Sequence, residues 1–421
     1  MDVAKIAEDL ININSINPFV MEKEGASFQP ETWTFKGNET EILAYIESLL
    51  REHGFRIQRQ PVHTDSAGKG FYNLLAEKGE GSKSILFYGH VDTVEIKDGW
   101  TTDPLRAATK TVDGLDRIYG LGANDMKGGL AIMLGAAGTL DPKDSKIKLA
   151  FLIDEENFSL GAAKFVESDF LKDVALAVVP ETMDFERKTK GQPILLGRMG
   201  RAEYLFEVGG VACHGAQSRV NKHAVNAVHE SVKLQSRVIR HCEENAKTFA
   251  HGELSVVNSM YISYHDGGKS SITVPDRATF VLERLFVMNE DMDKEVASLE
   301  SVVKRAYEDG TLDPRARVTV IRKARPTVLC KPYFFSPQNP MVKKVTEIVD
   351  SVTGDHEYGI GMSVADENRV AGKGIPTLII GPEGEGCHSP NEWVGVESLR
   401  RLQKTYTRIA TDLGPELAGG R

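Results

Sequence analysis

The chain is poor in cysteine. Its 421 residues carry four, Cys213, Cys242, Cys330 and Cys387, widely spaced and with no C-x-x-C pair. That excludes a disulfide framework and a thiolate zinc site. Long apolar runs are missing too. The longest candidate, Leu130 to Leu140, is rich in small residues and reads as a buried helix, well short of the roughly 20 residues that span a bilayer. Basic residues are not in excess: the net charge of −9 argues against a nucleic-acid partner, which wants a basic face. No block of like charge forms an interaction tail. The start, MDVAKIAEDLININSIN, has neither the basic residues nor the apolar stretch of a signal peptide. These absences set the expectation of a cytoplasmic protein in a reducing compartment, without membrane or nucleic-acid partners.

What is present is the composition of a soluble globular enzyme, 41% apolar and 26% charged. The length predicts two domains. The first part alternates. A helix over Glu39 to His53 precedes strands at Ser84 to Tyr88, Lys146 to Ile153 and Val174 to Val179, with helices at Lys127 to Leu140 and Gly161 to Glu167. That order predicts an α/β fold with a mostly parallel sheet covered by helices. From Gly197 the pattern changes. Arg201 to Val208 alternates with a period of two, Asn221 to Val238 is helical, and strands follow at Leu254 to Tyr264 and Ser271 to Phe286. A helix at Asp291 to Glu308 and a strand at Arg317 to Ile321 complete a β-α-β-β-α-β order, the ferredoxin-like arrangement. The chain then returns to a helix (Pro340 to Val352), a strand (Pro376 to Ile380) and a closing helix (Ser398 to Leu413). The expected organisation is a catalytic domain, 1–198 and 325–421, with an inserted domain at 199–324.

Five features fall just past strands, where open α/β sheets place their chemistry. In Tyr88-Gly89-His90-Val91-Asp92 the His and Asp stand two apart and share a face of an extended stretch. A carboxylate on one ring nitrogen aims the other at a metal, although a structural histidine is the plainer reading. Gly120 to Gly129 holds Asp125 just before a helix. That suits either a helix cap or a carboxylate that bridges two metals, and the missing G-K-[ST] excludes a phosphate loop. Asp154-Glu155-Glu156 ends a buried strand, a costly place for three acids unless a cation compensates. A solvated loop is the alternative. Glu181 follows Val178-Val179-Pro180, and His388 lies in Cys387-His388-Ser389-Pro390-Asn391-Glu392. Cys387 reads as a small buried neighbour rather than a ligand. Together, two histidines and several carboxylates at the ends of one sheet make an N/O donor set suited to zinc, enough for two ions sharing one carboxylate.

The ordered motifs YGHVDTV, GLGANDMKGGLA, DEENFSLGA, the PE at 180–181 and CHSPNEW resemble the zinc exopeptidase and deacylase family. It includes glutamate carboxypeptidase, succinyl-diaminopimelate desuccinylase, acetylornithine deacetylase, aminoacylase and several dipeptidases, and the resemblance covers nearly the whole chain. It implies that His90 and Glu181 hold one zinc, Glu156 and His388 the other, and that Asp125 bridges them together with a water. Cobalt or manganese are possible substitutes. It implies that Asp92 orients His90 and that Glu155 is the general base for a bridging hydroxide nucleophile. The inserted domain would be a lid through which a homodimer forms. There the stretch Gly209 to Gly215 resembles the segment whose histidine, His214, steadies the oxyanion in a partner subunit's active site. Asn258 begins a strand that touches substrate in relatives, and Arg284 matches an arginine that holds a substrate carboxylate, a lid salt bridge being the alternative. Two stretches depart from the family. The G-G-[ST]-D-[AG] loop appears as Gly361 to Asn368 in altered order, and Arg219-Val220 stands where a proline commonly follows the lid histidine.

The activity so implied is metal-dependent hydrolysis of an amide bond in a small molecule: a peptide C-terminus, a dipeptide or an N-acyl amino acid. An N-acyl amino-acid deacylase is the alternative within that class. An inactive zinc-binding dimeric scaffold is the alternative outside it, and the intact Glu155 argues against it.

Overall fold

The computed structural model describes residues 1–17, 37–65, 68–140, 145–182, 189–268, 270–327 and 330–419. It divides into two compact units: Met1–Arg198 with Pro326–Val328 and Tyr333–Arg421, and Met199–Arg325 with Leu329–Pro332.

Four parallel strands form the middle of the first unit's large sheet: Lys146–Leu152, Ser84–His90, Val174–Val179 and Thr377–Ile379. They are almost wholly buried, and helices cover them, so both faces must be apolar and their sequences are continuous hydrophobic runs. The sheet continues antiparallel on both sides. Arg56–Thr64 and Gly70–Lys78 lie at one edge, and Gln192–Arg198 with Tyr333–Phe334 at the other. His356–Gly361 joins Gln192–Arg198 in parallel. These flanking strands lie outside the sequence expectation: Arg56–Thr64 is largely exposed and Tyr333–Phe334 is only two residues long, while Gln192–Arg198 is wholly buried. The helix Gly128–Ala137 is apolar all round and fully buried, as a helix enclosed by other elements must be. No helix among the described residues is long and apolar enough to cross a membrane.

Register brings the strand ends to one edge. His90 pairs with Leu152, Phe87 with Val178 and Ile379 with Val179. The segments that follow, including Asp154 to Glu156 and Glu181, therefore leave the sheet at a common level. A second, small sheet, Gly384–Glu385, Trp393–Gly395, Leu115–Tyr119 and Ala108–Val112, was not anticipated. It pairs Trp393 with Tyr119, joining the His388 loop to the strand that leads into the Gly120 turn.

The second unit carries an antiparallel sheet in the order Ser259–Gly267, Arg277–Phe286, Gly200–Gly209, Arg317–Arg322. The helices Ala227–Glu244 and Glu295–Glu308 pack on it around Tyr204, Phe206, Leu234, Phe280 and Leu299. This is the expected ferredoxin-like order, with three corrections. The expected strand Leu254 to Tyr264 is two strands. Leu254–Val257 makes a separate hairpin with Thr248–His251, and only Ser259–Gly267 enters the sheet. The strand expected from Ser271 starts at Arg277, because the residues before it bond elsewhere: Thr273 bridges His214 and Val274 donates to the Cys213 carbonyl. The helix expected from Asn221 begins at Ala227, where the Asn226 side chain accepts the Val228 and His229 N–H groups.

Candidate metal centre

Asp125 lies in the turn between the Leu115–Tyr119 strand and the Gly128–Ala137 helix. The turn needs its glycines. Gly122 has φ 77°, and a Cβ there would stand 2.5 Å from Thr93 Cγ2. A Cβ on Gly129 would meet the Pro180 carbonyl oxygen at 2.1 Å, so only glycine lets this helix approach the stretch that carries Glu181.

The carboxylate of Asp125 stands between two histidines. Its Oδ1 is 3.0 Å from His90 Nε2, and its Oδ2 is 3.2 Å from His388 Nε2. Glu181 Oε2 lies 3.3 Å from the same His90 nitrogen, and Glu156 Oε2 lies 2.9 Å from His388 Nε2. Ligand atoms of His90, Asp125 and Glu181 form one compact trio, and those of Asp125, Cys387 and His388 another. His90 Nδ1 faces Asp92, 3.0 Å from its carbonyl oxygen and 3.5 Å from its carboxylate, which leaves Nε2 for the centre.

The electrostatics call for cations. Burial and then the Asp125 charge push Glu156 up to about 7, and its Oε1 is buried without a partner. Burial also pushes Glu155 well above the usual carboxylate range, with His90 opposing and Asp366 adding to the rise. Burial works to raise Asp125, yet the bonds from His388 and His90 hold it well below the ordinary value. Burial works against the His90 proton, but the Glu181 charge and the Asp125 contact raise His90 well above its usual value. His388 is raised by its bonds to Asp125, Cys387 and Glu156. Without metal, protons alone relieve this crowding of acids. Two imidazoles and two glutamates around one shared Asp, with a buried oxygen left over, fit a pair of divalent ions.

Several residues support the centre, and of these Asn17, Glu392, Lys127 and Asp366 are not singled out by the sequence. The Asp92 carboxylate accepts the backbone N–H groups of Glu155 and Glu156, each at 3.1 Å, so it holds the acid loop as well as facing His90. The Asn17 amide donates to Asp92 at 3.1 Å and to Asp154 at 2.8 Å. Glu392 is buried and accepts N–H bonds from the Asp125 turn; burial and the Asp125 charge push it up to about 8. Lys127 is buried with its Nζ on the Ile13 carbonyl, and burial pushes it down to about 7. Asp366 is likewise buried, and burial pushes it up to about 7 against the nearby Arg369. Cys387 corrects its expectation: it is exposed, not buried, and its thiol donates to Asp125 Oδ2 at 2.7 Å. The departing loop is anchored by Arg198, which donates to Ser363 at 2.7 Å and to Glu367 at 3.4 Å.

The remaining candidates belong to the second unit. His214 is exposed, and its Nδ1 accepts the Ala216 N–H at 3.2 Å. Arg284 is buried: its Nε donates to Glu295 at 2.8 Å and a terminal nitrogen to Glu290 at 3.3 Å. Asn258 donates to the same Glu290 oxygen at 2.7 Å. The guanidinium thus has the internal salt bridges weighed as the alternative to holding a substrate.

Residues 86–412 match the model of peptidase family M20/M25/M40. The chain belongs to that family. It is therefore a metal-dependent amidohydrolase, as the motifs implied. Among curated relatives it is 26% identical to succinyl-diaminopimelate desuccinylase 2 of a Ruegeria species, covering 98% of this chain and 95% of that one. It is 25% identical to acetylornithine deacetylase of Photorhabdus laumondii, covering 89% and 90%. Its fold is similar to that of an M20 family metallo-carboxypeptidase, Sso-CP2 from Sulfolobus solfataricus, with a TM-score of 0.72 at 19% identity over 99% of this chain and 100% of that one.

Proposed function

We propose that this hydrolase cleaves the amide bond of a small substrate, a dipeptide, a peptide C-terminus or an N-acyl amino acid, at a two-zinc centre. The observation that carries the reading is the position of Asp125, one oxygen toward His90 and the other toward His388. His90, Asp125 and Glu181 would hold one ion, and Asp125, Glu156 and His388 the other. Zinc suits this N/O set, with cobalt or manganese as substitutes. The ions supply Lewis acidity at the scissile carbonyl and lower the pKa of the attacking water.

The chain's own residues do the rest. Glu155 takes the proton of the attacking water and returns it to the leaving amine nitrogen. Burial raises its affinity for a proton, which favours its holding the proton between the two transfers. Asp92 fixes the backbone of Glu155 and Glu156, so the base and its ligand neighbour keep different directions. His214 is assigned to the oxyanion in a homodimer formed through the second unit. Arg284 and Asn258 we assign to the frame of that unit, since a substrate carboxylate would have to displace Glu290 to reach them. Four widely spaced cysteines with no C-x-x-C pair favour a reducing, cytoplasmic setting.

The names of the curated relatives favour a second reading within the class, removal of an acyl group from an amino acid. Elemental analysis followed by turnover of a mixed panel of dipeptides and N-acyl amino acids tests both. Turnover confined to one half of the panel selects the substrate. Two bound ions with no turnover on a broad panel would overturn the enzyme reading in favour of a scaffold.

A further inference from the structure

The Asp125 turn is held by one side chain from a distant loop. Glu392 is 2% exposed. Its Oε2 accepts the Gly122 N–H at 2.7 Å, and its Oε1 accepts those of Asn124 at 2.7 Å and Asp125 at 2.8 Å. Its own carbonyl accepts the Gly120 N–H at 3.1 Å. N–H groups of a turn just before a helix lack the partners that a helix interior supplies, and here one buried carboxyl collects three of them.

We infer that Glu392 is a positioning residue for the bridging carboxylate: it fixes the backbone amide of Asp125 and thereby the direction of its side chain between His90 and His388. The inference rests on the reading of Asp125 as the shared ligand. His388 and Glu392 belong to the same loop, so one segment brings a metal ligand and the holder of the bridging ligand. That loop is itself pinned. Asn391 Oδ1 accepts the Thr101 N–H at 2.8 Å, Lys97 donates to the His388 carbonyl at 2.7 Å, and Trp393 pairs with Tyr119. A shift of the loop therefore moves both sides of Asp125 together. Residues that orient metal ligands in this way are costly to change, typically about 10- to 100-fold in affinity or rate.

Glu392→Gln tests the role in the full-length protein. A glutamine keeps one acceptor oxygen, but its amide nitrogen turns a donor toward an N–H of the turn. Competition with a chelator, using zinc as the probe, should show metal affinity falling at least about 10-fold, with kcat falling alongside. Asn339→Ala, which removes only the cap of the Pro340–Thr353 helix, should lower Tm and leave zinc affinity unchanged. A Glu392→Gln protein with lowered Tm but wild-type zinc affinity overturns the inference and leaves the metal reading standing. Wild-type protein that takes up no zinc overturns the metal reading instead. If the variant does not fold, hydrogen exchange on chelated wild-type protein decides. Slow exchange at Gly122, Asn124 and Asp125 supports a preset turn, and fast exchange there overturns it.

Discussion

His388 and Glu156 meet at 2.9 Å, Nε2 to Oε2, while the acid one residue earlier lies under the charges of His90 and Asp366. Adjacent glutamates leave the same strand end in different surroundings, and this separates ligand from base. Glu155→Gln is expected to keep both ions and to lose roughly 100- to 10,000-fold in kcat, the usual span for a general acid–base group. Glu156→Gln is expected to lose metal as well as rate. Elemental analysis beside turnover measures both, and near-normal turnover by the Glu155 variant would remove it from the mechanism.

Metal removal should make stability fall as pH rises. Asp154 is pushed up to about 7 by burial and then by the Asp92 charge, and Asp366 is pushed up to about 7 by burial. An unfolded Asp titrates near ~3.9. Between these values the folded state keeps protons that the unfolded state has released, so stability is greatest below about 4 for these groups and declines up to about 7. The raised His90 and His388 act in the same direction at higher pH. Asp125, held low, acts the other way only at the acid end. Melting in a chelator between pH 5 and 8 should show Tm falling by several degrees, and added zinc should reverse much of the fall. A Tm that climbs across that range with chelator present contradicts this balance of charges.

Asn17→Ala removes the amide that spans Asp92 and Asp154. Two bonds to buried carboxyls are lost, worth roughly 3 kcal/mol together, and the Glu155 backbone loses part of its support. Denaturant unfolding should show that loss, and kcat should fall more than KM changes. Unchanged kcat in a destabilised protein would make Asn17 purely structural.

Arg284→Ala separates two roles. As part of the ion-pair frame with Glu290 and Glu295, it should cost about 3 kcal/mol, because buried carboxylates are left unpaired, with KM little altered. A large rise in KM at unchanged Tm would restore Arg284 as a substrate-carboxylate residue.

Much of the centre was legible in the sequence. His90, Glu155, Glu156 and Glu181 stand out because each ends a run of buried strand residues, where an uncompensated acid or imidazole is costly. Asp125 stands out because glycines crowd around it for backbone reasons. The residues that hold these ones were not legible. Asn17 sits in an amphipathic N-terminal stretch with no sign that Asp92 and Asp154 are its partners. Nothing in the sequence around Glu392 or Lys127 points to the Asp125 turn or to Ile13 as partners, and Cys387 reads there as a small buried neighbour. Their roles depend on partners far away in the chain.

The division has a physical cause. Local pattern sets which segments are strands and helices, because burial on one face or two dictates periodicity, and it sets which side chains stand at their ends. Strand register then brings His90, the acid loop and Glu181 to one edge. The pairing of Trp393 with Tyr119 brings His388 and Glu392 to the Asp125 turn. Those pairings are long-range, chosen by how the buried faces pack, so only the tertiary structure decides which carboxylate stands between two histidines and which one holds its backbone still.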